Sequence, residues 1–350
     1  MDAANQTADP HVFPVLLAGG VGSRFWPLSR ERRPKQMLDL FGEGPMVRVT
    51  LERVLPFAPA GNALVVTSTR LEAAIREAMP DLSPHNILAE PSGKNTAPAI
   101  AWASLEALAR DPEAILMVLP SDHHIADLPA YRQVIAQSLA VARTGRLVTV
   151  GIVPTHPETG YGYIERGESR GDFFAVTRFV EKPDFNTALT FLSGGRHLWN
   201  AGMFFMPARL FLDELAAHRP SLATPMIDAG HQGLMAVWDS LESISVDYAV
   251  FEHSPEVAVV PGSFGWSDVG SWRSLYDHRG EAGSFHGGDV IELDGTGNVL
   301  FADGGLVAVV GVSDLVVVHT RDATFVCKKD EAQRARDVVA EVKRRRPDLL

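Results

Sequence analysis

The 350-residue sequence predicts an α/β fold: a Rossmann-like domain on a mixed, mostly parallel sheet over residues 1–280, followed by a small β-solenoid or β-roll with a terminal helix over residues 281–350. Three observations carry this. Through the first 150 residues, short continuous apolar runs alternate with amphipathic stretches of period 3.6, the mark of βαβ units whose strands are covered on both faces. From Tyr161 to about Pro261 extended pieces dominate, as in a continuation of the same sheet. From Gly287 to Cys327 come short β-rich rungs with Gly, Asp or Asn at their corners.

Each element has its own justification. "VFPVLLA", "ALVVTS", "NILAE", "AILMVLP" and "RLVTVGI" read as buried strands, and "LEAAIREAM", "APAIAWASLEALAR" and "YRQVIAQSLAVAR" as the helices between them. "YGYIERG", "FFAVTRFVEKP", "GMFFMPA" and "EVAVVPG" extend the sheet, with helices near Asp184–Leu192 and Arg209–His218. A last helix covers roughly Lys329–Arg344, and its basic end favours the helix dipole.

Composition narrows the function. A net charge of −11 argues against a general nucleic-acid or anionic-membrane surface, because both need a positive face. The lone Cys327 makes no internal disulfide and fits a reducing compartment as a small apolar residue. No apolar run approaches the ~20 residues that span a bilayer, and "MDAANQTADPHVF" lacks the basic and apolar regions of a leader, so a cytoplasmic location is expected.

In this acidic chain, "VLLAGGVGSRFWPLSRERRPKQ" concentrates Arg24, Arg30, Arg32, Arg33 and Lys35 behind a glycine turn. Phe25 stands where a dinucleotide fingerprint needs its third glycine, and "LAEPSGKNT" lacks both the first glycine and the hydroxyl of a P-loop. What remains is a turn whose backbone N–H groups face an anion, stiffened by Pro27 and Pro34, or a merely solvated basic loop.

Asp122 in "PSDHHI" follows an apolar strand at the edge where parallel sheets bind ligands, and suits Mg²⁺ beside phosphates. His123 and His124 lack a second cluster of metal-ligand spacing. Asp268 in "GWSDVGSW" is either a helix cap or a second Mg²⁺ ligand. Lys182 offers a second, separate cation, and Asn200 and the glycines Gly160 and Gly162 allow close approach of sugar hydroxyls.

Taken in order, the block from Leu17 to Lys35, "EPSGKNTAPAI", "PSDHHI", "TGYGYIERG", "FVEKP", "WNAGMF" and "GWSDVGSW" resemble the sugar-phosphate nucleotidylyltransferases, and within them the mannose-1-phosphate guanylyltransferase branch, over about Val12–Asp277. The resemblance implies a Rossmann-like nucleotidyltransferase domain with a left-handed β-helix-like tail. It also implies a reaction in which GTP and mannose 1-phosphate give GDP-mannose and pyrophosphate with Mg²⁺. Carried over, Leu17, Ala18, Gly19, Gly20, Gly22, Ser23, Glu90, Asn95, Thr96 and Ser121 meet the nucleotide. Arg24 and Lys35 grip the β and γ phosphates, and Asp122 and Asp268 hold the metal. Gly162, Glu181, Asn200 and Asp268 surround the sugar, and Lys182 meets its phosphate. No isomerase domain fits in the length, so guanylyl transfer alone is expected, with the apolar tail rungs available to a second copy in a homodimer. Another nucleotide and sugar 1-phosphate pair, such as a heptose or glucose 1-phosphate, or a silent GDP-mannose-sensing subunit, are the alternatives.

Overall fold

A computed structural model describes residues 8–20, 22–278 and 283–350. The boundary expected between residues 280 and 281 and the first seven residues of the chain lie outside them.

The chain runs β1 (Val12–Leu17), α1 (Met46–Val54), β2 (Leu64–Ser68), α2 (Glu72–Ala78), β3 (Ile87–Glu90), α3 (Thr96–Arg110), β4 (Ile115–Pro120), β5 (His124–Ile125), α4 (Leu128–Ala142) and β6 (Leu147–Ile152). There follow β7 (Tyr163–Ser169), β8 (Phe174–Val180), α5 (Phe185–Gly194), β9 (His197–Pro207), α6 (Ala208–His218), α7 (Pro220–Gly233), β10 (Val257–Gly262), β11 (Trp266–Ser267) and α8 (Trp272–His278). The remainder is β12 (Phe285–Leu293), β13 (Val299–Val310), β14 (Leu315–Thr320), β15 (Thr324–Lys328) and α9 (Ala335–Arg345).

The main sheet has the order β3-β2-β1-β4-β9-β6-β10-β8-β7. Strands β1 to β4 pair in parallel, as do β6 and β10, while β9 runs antiparallel to β4 and β6 and β8 antiparallel to β10. The sheet is therefore mixed, with β8 and β9 reversed. Its apolar runs are continuous because both faces are covered. In β4, Leu116 and Val118 enter the core shared with α3, α6 and α7, whereas Ile115, Met117 and Leu119 enter the core shared with α4. Asp127 caps α4 and Asp184 caps α5 through their carboxylates, which sets where those helices begin.

The tail is built differently. β12, β13 and β14 pair in parallel as consecutive strands, with Val299 opposite Val316, seventeen positions on, and β15 closes the sheet antiparallel. The terminal helix starts later than the sequence pattern predicts: Lys329–Arg334 is a 3₁₀ segment, and α9 begins at Ala335. A third core joins this tail to the basic loop. Phe25, Trp26, Leu28 and Leu38 pack with Trp272 and Leu275 of α8 and with Phe285, Val299, Phe301, Val316, Val318 and Phe325 of the tail. Cys327 is half-buried beside it, as expected of a small apolar residue. Among the described residues no helix is long and apolar enough to cross a membrane.

Candidate active site

The glycine turn leaves the carboxyl end of β1, between β2 and β4 where the strand order reverses, the place at which such folds bind ligands. Its shape is imposed from below. The buried Gln36 amide donates to the carbonyls of Ala18, at 2.8 Å, and Gly20, at 3.0 Å, and Thr67 also donates to Ala18. Ser121 Oγ donates to the Leu17 carbonyl at 2.7 Å, which pins the end of β4 to the end of β1. Gly22 has φ +62°, and a Cβ there would stand 2.4 Å from Lys35 Cβ. Only glycine lets the two limbs of the loop cross so closely.

That crossing delivers Lys35, 5% exposed, to the acids. Its Nζ donates to Asp122 Oδ2 at 2.9 Å and to the backbone carbonyl of Asp268 at 2.5 Å. Arg24 Nη1 donates to the Gly270 carbonyl at 2.9 Å, and a Cβ on Gly270 would lie 3.1 Å from Asp268 Oδ2 and 3.4 Å from that guanidinium nitrogen. Arg24, Lys35, Asp122 and Asp268 thus converge from distant stretches of chain. Burial raises the Asp122 carboxyl, but the Lys35 ammonium and His123 outweigh it and hold Asp122 below the usual carboxylate range. Asp268 is no helix cap: its Oδ1 accepts from Tyr161 Oη at 2.7 Å, and the first turn of α8 is closed by Ser274 bonding Ser271 N.

A cleft of about 880 Å³ opens on this cluster, lined by Arg24, Tyr161, Lys182, Trp199, Trp266 and Asp268 among others. Tyr161 sits edge-on to both Trp199 and Trp266. Beside the cleft, a Cβ on Gly162 would meet Glu181 Oε2 at 2.5 Å and Asn200 Cβ at 3.4 Å, so the four residues Gly162, Glu181, Lys182 and Asn200 form one cluster. Lys182 Nζ donates to Glu181 Oε1 at 2.5 Å, and its backbone takes φ +46°, a strained conformation for a side-chain-bearing residue.

On the other side of the glycine turn, Glu90 Oε2 would lie 3.8 Å from a Cβ on Gly19. Glu90 Oε1 is buried with no hydrogen-bond partner among the described residues, and burial pushes the carboxyl up to about 7. Asn95 and Thr96 are engaged in structure: Asn95 caps α3 through Thr96 N, and Thr96 Oγ1 accepts from Val246 N. Ser23 opens the short turn that carries Arg24.

Among the described residues no group of three or more His, Cys, Asp or Glu side chains is arranged to hold a metal. The histidines of "PSDHHI" are otherwise placed: His123 Nδ1 accepts from Trp266 Nε1 at 3.1 Å, and His124 stacks on Phe41. A pair of carboxylates, Asp122 and Asp268, is what this site offers a cation.

Residues 13–282 match the family model for nucleotidyl transferases. The chain belongs to that family. Residues 288–342 match a second model, described as a mannose-phosphate isomerase and GMP-like beta-helix domain. This nucleotidyl transferase is 43% identical to the xanthan biosynthesis protein XanB of Xanthomonas campestris pv. campestris strain B100, over 95% of its own length and 73% of the relative's. It is 41% identical to a mannose-1-phosphate guanylyltransferase of Escherichia coli K12, over 96% of this chain and 74% of the relative. A crystal structure from Thermus thermophilus, described as a mannose-1-phosphate geranyltransferase, superposes with a TM-score of 0.88 at 36% identity, covering 95% of this chain and 99% of the other.

The sequence alone offers Arg30 and Arg33 no particular role, and in this nucleotidyl transferase both bind the tail. Arg30 reaches Asp322 at 2.6 Å and the Leu349 carbonyl, and Arg33 pairs with Asp303 at 2.9 Å. Trp26 Nε1 donates to the same Leu349 carbonyl. Gln36 and Tyr161 were also missed. A glutamine next to a lysine carries no signal of its own, and the Tyr161–Asp268 pair joins positions 107 apart.

Proposed function

We propose that this chain transfers the GMP moiety of GTP to mannose 1-phosphate, releasing pyrophosphate and forming GDP-mannose. The observation that carries the reading is the convergence of Arg24, Lys35, Asp122 and Asp268, of which Arg24 and Asp268 line a cleft together with Lys182. The sugar phosphate oxygen attacks the α-phosphorus of GTP in line, and the obstacle is repulsion between two polyanions. Alignment and charge neutralisation suffice, and positioning alone contributes about 7–11 kcal/mol in favourable systems.

In this reading the N–H groups of the Leu17–Gly20 turn, with Gly22 and Ser23, cradle the triphosphate. Arg24 and Lys35 offset the charge gathering on the departing pyrophosphate. Lys182 meets the phosphate of the sugar, and Gly162, Glu181 and Asn200 bound the hexose. Asp122 and Asp268 each lend one carboxylate oxygen to a protein partner and keep a second, which fits Mg²⁺, an ion that takes one or two carboxylates and completes its shell with phosphate and water. When bound, it would lower the negative charge at the reacting phosphate.

The choice of guanine rests on Glu90. Guanine presents N1–H and its 2-amino group side by side, two donors that match one carboxylate, and Glu90 keeps a buried oxygen without a partner next to the glycine turn. Adenine offers no such pair, and leaving Glu90 unpaired is costly. Asn95 and Thr96 shape the entrance on the nucleoside side. The unit from residue 281 onward is read as a separate small β-helix, supported by the consecutive parallel pairing of β12, β13 and β14.

Pyrophosphate release across a panel of nucleotides and sugar 1-phosphates tests the assignment. GTP with mannose 1-phosphate should lead by at least tenfold. A heptose or glucose 1-phosphate with another nucleotide in the lead would replace the substrate pair, and GDP-mannose binding without turnover would make the chain a sensor.

A further inference from the structure

We propose that Asp247 is a positioning residue for hexose recognition, holding the Asn200 amide so that the pocket reads the stereochemistry of the sugar hydroxyls. The inference deepens the guanylyltransferase reading above and rests on it.

Asn200 has four hydrogen-bonding valences, and the fold takes three. Its Oδ1 accepts from Thr149 Oγ1 at 2.9 Å and from Gly202 N at 3.1 Å, and its Nδ2 donates to Asp247 Oδ1 at 3.0 Å. One N–H remains. Thr149 and Gly202 fix which end of the amide is oxygen, and Asp247, as the acceptor for one N–H, sets where the remaining N–H is aimed. A site built on one aimed donor discriminates between hydroxyl epimers, because the wrong epimer leaves that donor unpaired.

Asp247 is held as a positioning group should be. It heads a single π-helical turn, Asp247–Phe251, in which Glu252 N reaches back five residues to the Asp247 carbonyl at 3.0 Å. Such turns insert a residue into a helix and cluster at functional sites. Behind it, Val246 N is bonded by Thr96 Oγ1, and Ala249, Val250 and Phe251 lie in the core. In front, Asn200 N bonds the Gly162 carbonyl, and Gly162 abuts Glu181. Burial first, and the Glu181 carboxylate second, push the Asp247 carboxyl up to about 7, which agrees with two acids facing one small space beside Lys182. The side-chain partner of Asp247 is an amide that itself belongs to the hexose cluster.

The test is steady-state kinetics of the full chain with GTP and either mannose 1-phosphate or glucose 1-phosphate. Asp247→Ala should raise KM for mannose 1-phosphate at least tenfold, leave KM for GTP within twofold and kcat within about threefold, and reduce the mannose-over-glucose preference at least fivefold. Asp247→Asn keeps an acceptor oxygen for Asn200 and should recover to within threefold of the native KM. If Asp247→Ala does not fold, Asp247→Ser, too short to reach Asn200, takes its place. An unchanged sugar KM, a parallel rise in KM for GTP, or an Asn variant as impaired as the Ala variant would overturn the assignment. Asn200→Ala separates the two levels. If it raises sugar KM while the Asp247 variants do not, only the role of Asp247 falls; if it too leaves sugar KM unchanged, the hexose pocket lies elsewhere.

Discussion

Gly22→Ala perturbs the site without touching a charge. At φ +62° an alanine costs about 1–2 kcal/mol in backbone strain. Its Cβ would also sit 2.4 Å from Lys35 Cβ, where unbonded carbons settle at roughly 3.5–4.0 Å. One limb of the loop must therefore retreat by about an ångström, for a total near 2–5 kcal/mol once overpacking is included. Lys35 moves with it, although its ammonium is fixed by bonds of 2.9 Å to Asp122 and 2.5 Å to the Asp268 carbonyl. A misplacement of that size costs on the order of 100-fold in rate. Thermal melting and pyrophosphate release measure the two effects. Because the collision is with Cβ, Lys35→Ala does not relieve it. The double variant should thus lose stability additively but lose little turnover beyond Lys35→Ala alone. Turnover of Gly22→Ala within threefold of native, or rate losses that multiply in the double variant, would refute the idea that this glycine serves Lys35.

Three further outcomes are expected. Lys35→Ala should lower kcat about 10²–10³-fold, as loss of one preorganised charge contact does, while circular dichroism shows the fold intact. Glu90 has its carboxyl raised to about 7 in the folded chain, so the native state binds more protons than the unfolded one between roughly pH 4.5 and 7, and stability falls as pH rises through that window. Melting of Glu90→Gln should show a shallower fall, because Asp247, raised likewise to about 7, still contributes its share, and its KM for GTP should rise at least tenfold and lose the improvement with pH, between 6 and 8, expected of the native protein. Arg30→Ala removes bonds to Asp322 and to the Leu349 carbonyl from a mostly buried guanidinium and should cost about 1–3 kcal/mol in melting experiments. Turnover should drop with it even though Arg30 faces the tail, because the same loop carries Arg24 and Lys35.

Much of the fold was legible because burial on both faces of a sheet leaves a one-dimensional trace. β1, β2, β4 and β6 lie within the apolar runs that announce them. Of the four proposed site residues, Arg24, Asp122 and Asp268 each stand as a charge in an apolar or glycine-rich stretch, as Asp122 does after β4, while Lys35 closes a basic run. Their meeting was not legible, since it depends on strand order. The reversed strand β9, inserted between β4 and β6, is invisible in a pattern of apolar runs because direction leaves no mark on periodicity. Asp247 escaped notice in "SISVDYAVFE", where an acid before an apolar run reads as an ordinary helix start. The partners of Arg30 and Arg33, Asp322 and Asp303, are surface acids of a distant segment, so nothing beside those arginines in the sequence announces the pairing.

The distance between Trp26 and its acceptor, 323 positions along the chain, bears on how the enzyme comes into being. A ribosome makes the basic loop long before the segment that braces it. The parallel sheet can assemble on the way, but Arg24 and Lys35 gain their final backing only when the distal strands have emerged and docked. A nascent chain would thus carry this loop unbraced until those strands have folded against it.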